Sequence, residues 1–302
     1  MKLLVSASLL GYCMHLMDPT TLRGISVKWG WLVGSLVFVF VDYVVGAARF
    51  KILLDPIARI SLFHHIKFYF WAGLFNSALP TSIGGDAMRV LWLKEHDVSV
   101  NKATLFVLTE RLIGVFILVL IAGAAAINYG LPPTIKDYFW DSFEFVFSGA
   151  LVGLAFVYWF RGTEFVARLT RLTQRVRGAL SLPQGLALFG LTFLYQGVTI
   201  VITIGIAVSI GIYLDWYVWF LIVPLLWLLT VLPISVGGLG VREVGLVFFL
   251  REYGQSNEKA VALGLMVFLV YLAAGVVGGV WYSVDSGIAR RKSKDDSKIT
   301  KK

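Results

Sequence analysis

Two arginines stand at the same place in two copies of one short sequence. Leu79 to Arg89 reads Leu-Pro-Thr-Ser-Ile-Gly-Gly-Asp-Ala-Met-Arg, and Leu232 to Arg242 reads Leu-Pro-Ile-Ser-Val-Gly-Gly-Leu-Gly-Val-Arg. In each, a proline (Pro80, Pro233), a serine (Ser82, Ser235) and a glycine pair (Gly84 and Gly85, Gly237 and Gly238) interrupt an apolar run before the arginine. Proline removes a backbone donor and clashes with the preceding turn, and adjacent glycines accept backbone angles closed to other residues, so a helix should break there. A new helix starting after the break turns its free amide groups toward it, and with an arginine one turn on these make an anion site. Phosphate is the anion a membrane protein most often meets, and guanidinium holds it with paired donors. The copies are unequal, since Asp86 in the first becomes Leu239 in the second, which has Glu243 instead. The two half-sites should therefore not bind alike.

Glu110 and Arg111 lie in a long apolar run beginning at Ala103. Charges at membrane depth cost about 2.5 to 3.5 kcal/mol each on insertion scales, so they need partners or a function. Neighbouring helical residues point about 100° apart, which prevents a good pair between these two. Both are expected to face the breaks, with Glu110 near Arg89 or Arg242, covering an arginine when a bound phosphate leaves it. The bland alternative is an ion pair that only locks the bundle. Asp42, deep in another apolar run, is either a proton or cation handle or a carboxylate satisfied by a tyrosine or backbone group. The four histidines and single cysteine show no metal-ligand spacing and no thiol–histidine pattern. No catalytic residue, metal or cofactor is assigned.

These groups sit in a chain that is 58% hydrophobic and only 15% charged, the composition of a polytopic membrane protein. The net charge of +9 does not signal nucleic acid, because the basic residues lie between apolar segments and at the C-terminus, as the positive-inside rule requires. Ten tryptophans and twelve tyrosines suit interfacial belts. Lys2 to Met17 is read as a short first transmembrane helix and not as a cleavable signal. Further apolar stretches run from Trp31 to Ala48, Phe68 to Leu79, Ala103 to Ile127, Phe143 to Phe160, Leu186 to Ile212, Trp216 to Leu232 and Val261 to Val284.

Phe68 to Leu79 is short and meets the break at once, after which Asp86 to His96 reads as a short polar helix that Asp86 can cap. If both broken segments are re-entrant, about six helices cross, and Arg49, Lys51, Arg89, Lys94, the Arg161 to Arg177 segment and the lysine-rich tail share one side with Lys2. Asp137, Asp141, Glu144 and Asp215 then fall on the other. The Arg161 segment itself reads as a basic amphipathic helix on the cytoplasmic surface. An odd number of crossings separates the hairpins, so they enter from opposite sides as an inverted repeat. The expected architecture is all-α: one integral membrane domain, residues 1–302, with repeats over approximately 30–128 and 186–284 and a basic cytoplasmic tail at 287–302. Both termini are expected in the cytoplasm, with the protein in the cell membrane.

With the repeat located, the chain resembles the flippase-like integral membrane family named after the transmembrane region of lysylphosphatidylglycerol synthase. Asn76, Leu79-Pro80, Gly84-Gly85-Asp86, Arg89, Glu110-Arg111, Leu232-Pro233, Gly237-Gly238 and Gly240-Val241-Arg242-Glu243 carry the resemblance over nearly the whole length. It implies movement of polar lipids between leaflets, either aminoacylated phospholipids or sugars on polyprenyl phosphates. A glycosyltransferase or lipid-modifying enzyme is expected as a partner. The reading is a translocase for a membrane lipid with an anionic headgroup. Two rivals stay open: a membrane-embedded enzyme acting on lipid phosphates through Asp86, Glu110 or Glu243, and a scaffold for a glycosyltransferase. No Gly-x-x-x-x-Gly-Lys-Ser/Thr stretch is present, so nucleotide hydrolysis does not drive movement directly.

Overall fold

The computed structural model describes residues 2–16, 18, 24–78, 84–129, 136, 181–231 and 238–299. They form nine helices, and no strand occurs among them: α1 (Lys2–His15), α2 (Trp29–Leu54), α3 (Leu62–Ala78), α4 (Gly84–Glu95), α5 (Val100–Tyr129), α6 (Leu182–Ser209), α7 (Trp216–Val231), α8 (Val241–Arg251) and α9 (Asn257–Ile299). The expected Phe143 to Phe160 helix, the Asp137 loop and the basic Arg161 to Arg177 segment lie outside the described residues. So do Pro80, Ser82, Pro233, Ser235 and Gly237, the centres of the two breaks.

Trp29–Leu54, Val100–Tyr129, Leu182–Ser209 and Asn257–Trp281 are long and apolar enough to cross a bilayer. Among the described residues α3 has 17 and α7 has 16, at the lower limit of the roughly 17 to 25 of a span, and α1 has 14. Exposure is inverted relative to a water-soluble protein. Leu112 is 70% exposed while Glu110, on the same helix, is 2% exposed. Lipid is the solvent that suits such a surface, and the chain is a multi-pass membrane protein.

Local chemistry sets the helix limits. Ser181 starts α6: its amide and its hydroxyl both donate to the Gln184 side chain, and Pro183 in the first turn needs no donor. At the other end Gly211, at φ 74°, turns the chain as Ile212 donates back to the Ala207 carbonyl. The short helices α4 and α8 end in the same way as each other. Asp97 and Gly254 take left-handed backbone angles, followed by back-bonds from Val98 to Leu93 and from Gln255 to Leu250. A serine then precedes each long helix that follows, Ser99 before α5 and Ser256 before α9.

Packing follows one pattern. The set α2–α3–α4–α5 and the set α6–α7–α8–α9 each pack consecutively, α2 against α6 forms the centre, and α3 lies on α9 as α7 lies on α5. Exchanging the two sets maps every substantial helix pairing onto another, except that of α1 with α8. The tail expected beyond the last helix instead continues α9 itself to Ile299.

Close approach of α3 and α9 depends on glycines. A Cβ on Gly275 would lie 2.8 Å from the Leu74 amide nitrogen, and one on Gly278 would lie 2.7 Å from the Phe70 carbonyl carbon. Such small-residue seams let membrane helices gain van der Waals contact where hydrophobic drive is absent. Gly278→Ala should therefore lower the melting temperature in detergent, at a cost of about 1 to 3 kcal/mol from overpacking, although alanine is the better helix former. Gly190→Ala, where a Cβ meets nothing within 4 Å, should leave it unchanged or raise it. Equal behaviour of the two variants would contradict the seam.

Candidate functional site

Glu110 on α5 is 2% exposed and joins three other helices. Its Oε1 accepts from Arg49 Nε at 3.1 Å, Arg49 Nη2 at 2.5 Å and the Tyr69 hydroxyl at 2.9 Å, while Oε2 accepts from Arg89 Nη1 at 2.9 Å. Arg49 comes from α2, Tyr69 from α3 and Arg89 from α4. Tyrosine faces complete the support: the Arg89 guanidinium lies 4.4 Å from the Tyr69 ring centroid and that of Arg49 lies 4.5 Å from the Tyr195 ring. Arg111, next in sequence to Glu110, turns to a different partner and pairs through Nε with Asp86 Oδ2. Asp86 in turn lies 3.6 Å from Arg89. Glu110 and Arg111 thus engage Arg89 and Asp86, which stand on one face of α4 three residues apart.

Arg49 is the residue the sequence misplaces. Read as a charge in a cytoplasmic loop, it lies inside α2, is 6% exposed and belongs to the network. A signal for it existed. Arg49 follows Asp42 by seven residues, which is two helical turns on one face. Asp86 is also placed differently from expectation, because α4 begins at Gly84 and puts Asp86 inside its first turn, where a carboxylate suits the helix dipole without being the cap.

The second copy is built more simply. Glu243 is fully buried and its Oε2 accepts the Gly240 amide at 2.6 Å. Its Oε1 lies 3.4 Å from Arg242 Nε. Gly264 on α9 admits the carboxylate, since a Cβ there would lie 2.7 Å from Glu243 Oε1. In the first copy Gly85 donates its amide to Asn76 Oδ1 at 3.0 Å, and a Cβ at Gly85 would overlap that same side chain. Both breaks therefore cap an amide internally, with Asn76 in one and Glu243 in the other. The amides at Gly85 and Gly240 are already taken and not free for a ligand.

Both copies reach one cavity of about 280 Å³. Arg49, Arg89, Arg111 and Arg242 line it together with Asp86 and Glu110, and Asn76 and Gly238 also reach it. Three guanidinium nitrogens of these side chains, Arg49 Nη1, Arg89 Nε and Arg242 Nη2, are buried with no hydrogen-bond partner among the described residues. Gly84 is buried at the start of α4.

Fold and site together define a multi-pass α-helical membrane protein with a polar, arginine-rich cavity inside its bundle. A family model described as the lysylphosphatidylglycerol synthase TM region matches residues 1–279, and the chain belongs to that family. This ties its work to membrane lipids. None of the curated proteins compared matches the chain.

The network makes a stability prediction. Glu110→Gln leaves two buried guanidiniums short of their counter-charge and should cost about 3 to 5 kcal/mol, whereas Tyr69→Phe removes one hydrogen bond and should cost about 1 kcal/mol. Thermal unfolding of the purified variants gives both values. A Glu110→Gln melting temperature equal to that of wild type would show that the carboxylate does not hold the helices together.

Proposed function

We propose that the protein translocates a phosphate-bearing polar lipid between leaflets, the headgroup passing through the arginine-lined cavity while its acyl or prenyl tail stays in the bilayer. The observation that carries this reading is the set of three guanidinium donors on one cavity that have no partner among the described residues. A buried donor left unmade costs about 1 to 3 kcal/mol, and more when charged, so the bundle favours an anion that accepts from it. A phosphate held by arginines satisfies them with charge-assisted bonds. Substrates of the right chemistry are polyprenyl-phosphate-linked sugars and aminoacylated phospholipids, delivered by a glycosyltransferase or lipid-modifying enzyme.

In this reading α3 with α4, and α7 with α8, are re-entrant hairpins that enter from opposite sides, within repeats spanning approximately residues 30–128 and 186–284. The shortness of α3 and α7 supports it, as does the exchange of helix pairings between the two sets. Both termini face the cytoplasm of the cell membrane. Glu110 competes with the headgroup for Arg89 and reclaims that arginine on release.

Two measurements test this. In vesicles reconstituted with a fluorescent lipid phosphate, Arg242→Ala and Arg89→Ala should lose protein-dependent translocation, and Arg242→Lys should regain part of it, because lysine restores the charge without the planar fork. Arg242 is the cleaner probe, since among the described residues it pairs with its neighbour Glu243 at 3.4 Å and not with the Glu110 network. Loss of activity in proportion to loss of melting temperature would point to a structural role, and turnover of the phosphate ester by purified protein would favour an enzyme. For topology, single cysteines near Asp137 and Lys298, introduced after Cys13 is replaced, should label from opposite membrane faces. Labelling from one face would contradict the opposed hairpins.

A further inference from the structure

Asp42 is fully buried in the middle of α2, and no charged group pairs with it among the described residues. Its contacts are hydroxyls. Thr199 Oγ1 on α6 lies 3.1 Å from Asp42 Oδ1, and the Tyr271 hydroxyl on α9 lies 3.5 Å from Oδ2. Both partners line the cavity, which leaves the carboxylate one side chain behind its wall. The titratable groups around it are Tyr43 and Arg49 on its own helix, Tyr69 on α3, Glu110 on α5, Tyr195 on α6 and Tyr271 on α9.

Counting protons at Thr199 shows what this arrangement suits. Thr199 Oγ1 has one hydrogen, yet stands 3.1 Å from two acceptors, Asp42 Oδ1 and the Tyr195 carbonyl. With Asp42 ionised, the hydroxyl serves the carboxylate, and the Tyr195 carbonyl keeps only its helical amide donor. With Asp42 protonated, the chain closes: the carboxyl donates to Thr199, and Thr199 donates to the Tyr195 carbonyl.

Charge around the cavity leads to the same group. Arg49, Arg89, Arg111 and Arg242 face Asp86 and Glu110 on the cavity wall, with Asp42 and Glu243 directly behind it. When all are ionised these four cations and four anions sum to zero. An anionic headgroup adds at least one uncompensated negative charge to a poorly solvated place. Asp86, Glu110 and Glu243 each lie beside an arginine, and Asp42 alone of the four carboxylates has no cation within ion-pair distance.

We propose that Asp42 is a proton-binding site coupled to the headgroup anion: a proton joins the Asp42 carboxylate as the phosphate enters the cavity and leaves it as the phosphate departs. The proposal rests on the translocase reading for its anion. Bonds balance simply, since a solvent proton forms the O–H of the carboxyl on entry and returns to solvent on exit. By linkage the coupling is reciprocal, so low pH tightens anion binding by the factor by which the anion tightens proton binding.

Infrared difference spectra of the purified full-length protein test it, with phosphatidylglycerol as the anion because its phosphodiester keeps one charge across the titration. Wild type should show the carbonyl stretch of a protonated carboxyl, shifted when aspartate is isotopically labelled at that carbon and missing from Asp42→Asn. Bound phosphatidylglycerol should raise proton affinity about tenfold, within the usual range of coupling between sites. Retention of labelled lipid should fall about tenfold from low to high pH in wild type and stay level in Asp42→Asn, whose amide donates to Thr199 as the protonated acid does. A protonated-aspartate band that appears in lipid-free wild type at no pH down to the acid end of the titration, or that is still present in Asp42→Asn, would overturn the proton site. A band whose midpoint ignores bound lipid would overturn the coupling. Failure to retain the lipid at any pH, with Arg242→Ala no different, would count against the translocase reading, while the lipid-free band would still decide the proton site.

Discussion

One carboxylate shared between two arginines organises the inside of this bundle. Glu110 can be deeply buried only because donors from α2, α3 and α4 converge on its two oxygens. Removing either arginine leaves a charge in low dielectric without its match, and that cost fixes how α2 and α4 sit against α5, with the Tyr69 hydrogen bond adding a smaller tie to α3. Hydrophobic contact alone would not set such a register, because lipid tails solvate leucine as well as another helix does. Glycine seams bring the helices close, and the Glu110 network specifies their register.

The same network explains why the cavity is available to an anion. Two arginines around one carboxylate leave donor hydrogens to spare, and Arg49 Nη1 and Arg89 Nε have no acceptor among the described residues. Helix N-termini contribute less than their geometry suggests. Asn76 and Glu243 have already taken the Gly85 and Gly240 amides, and Arg89 and Arg242, in the helices that follow the breaks, line the cavity. Gly85 is needed for contact and not for flexibility: its missing Cβ is the space that the Asn76 amide fills.

Much of this was legible in the sequence. The doubled Leu-Pro-x-Ser-x-Gly-Gly-x-x-x-Arg stretch marked where α4 and α8 begin, and the rule that adjacent helical charges do not pair sent Glu110 and Arg111 to separate partners. Arg49 was not found. It follows an apolar run and precedes Lys51 and Asp55, so hydropathy ends the membrane segment there, while α2 continues to Leu54 with Arg49 turned inward. Tyr69 and Tyr195 were hidden for a related reason. Tyrosine in a membrane chain first suggests the interface, and only the crossing of α3 and α6 with the arginines makes these rings part of a site. The unequal helix starts were also invisible. Gly84 opens α4, but the equivalent Gly237 precedes the start of α8 at Val241 by four residues, so the two arginines sit at different heights in their helices.

That inequality bears on how such a protein works. Arg89 is held by Glu110 and approached by Asp86, whereas Arg242 has its neighbouring Glu243 at the edge of hydrogen-bond distance. A headgroup moving through the proposed path would displace a strong carboxylate contact at one half-site and a weak one at the other. Unequal half-sites alter the heights of the steps along the path and hence the rate. They do not alter the free energy of the lipid in either leaflet, so structural asymmetry by itself leaves the equilibrium distribution untouched. Net direction has to come from a gradient that acts on something moving with the headgroup: the lipid's own concentration difference, or a charge carried through the membrane potential at about 2.3 kcal/mol per 100 mV. A proton bound only while the phosphate is bound changes that charge. Under the proposed coupling it would reduce the negative charge the potential acts on and add the pH difference as a second driving force, a role that suits a carboxylate held by hydroxyls and not by a cation beside a cavity of arginines.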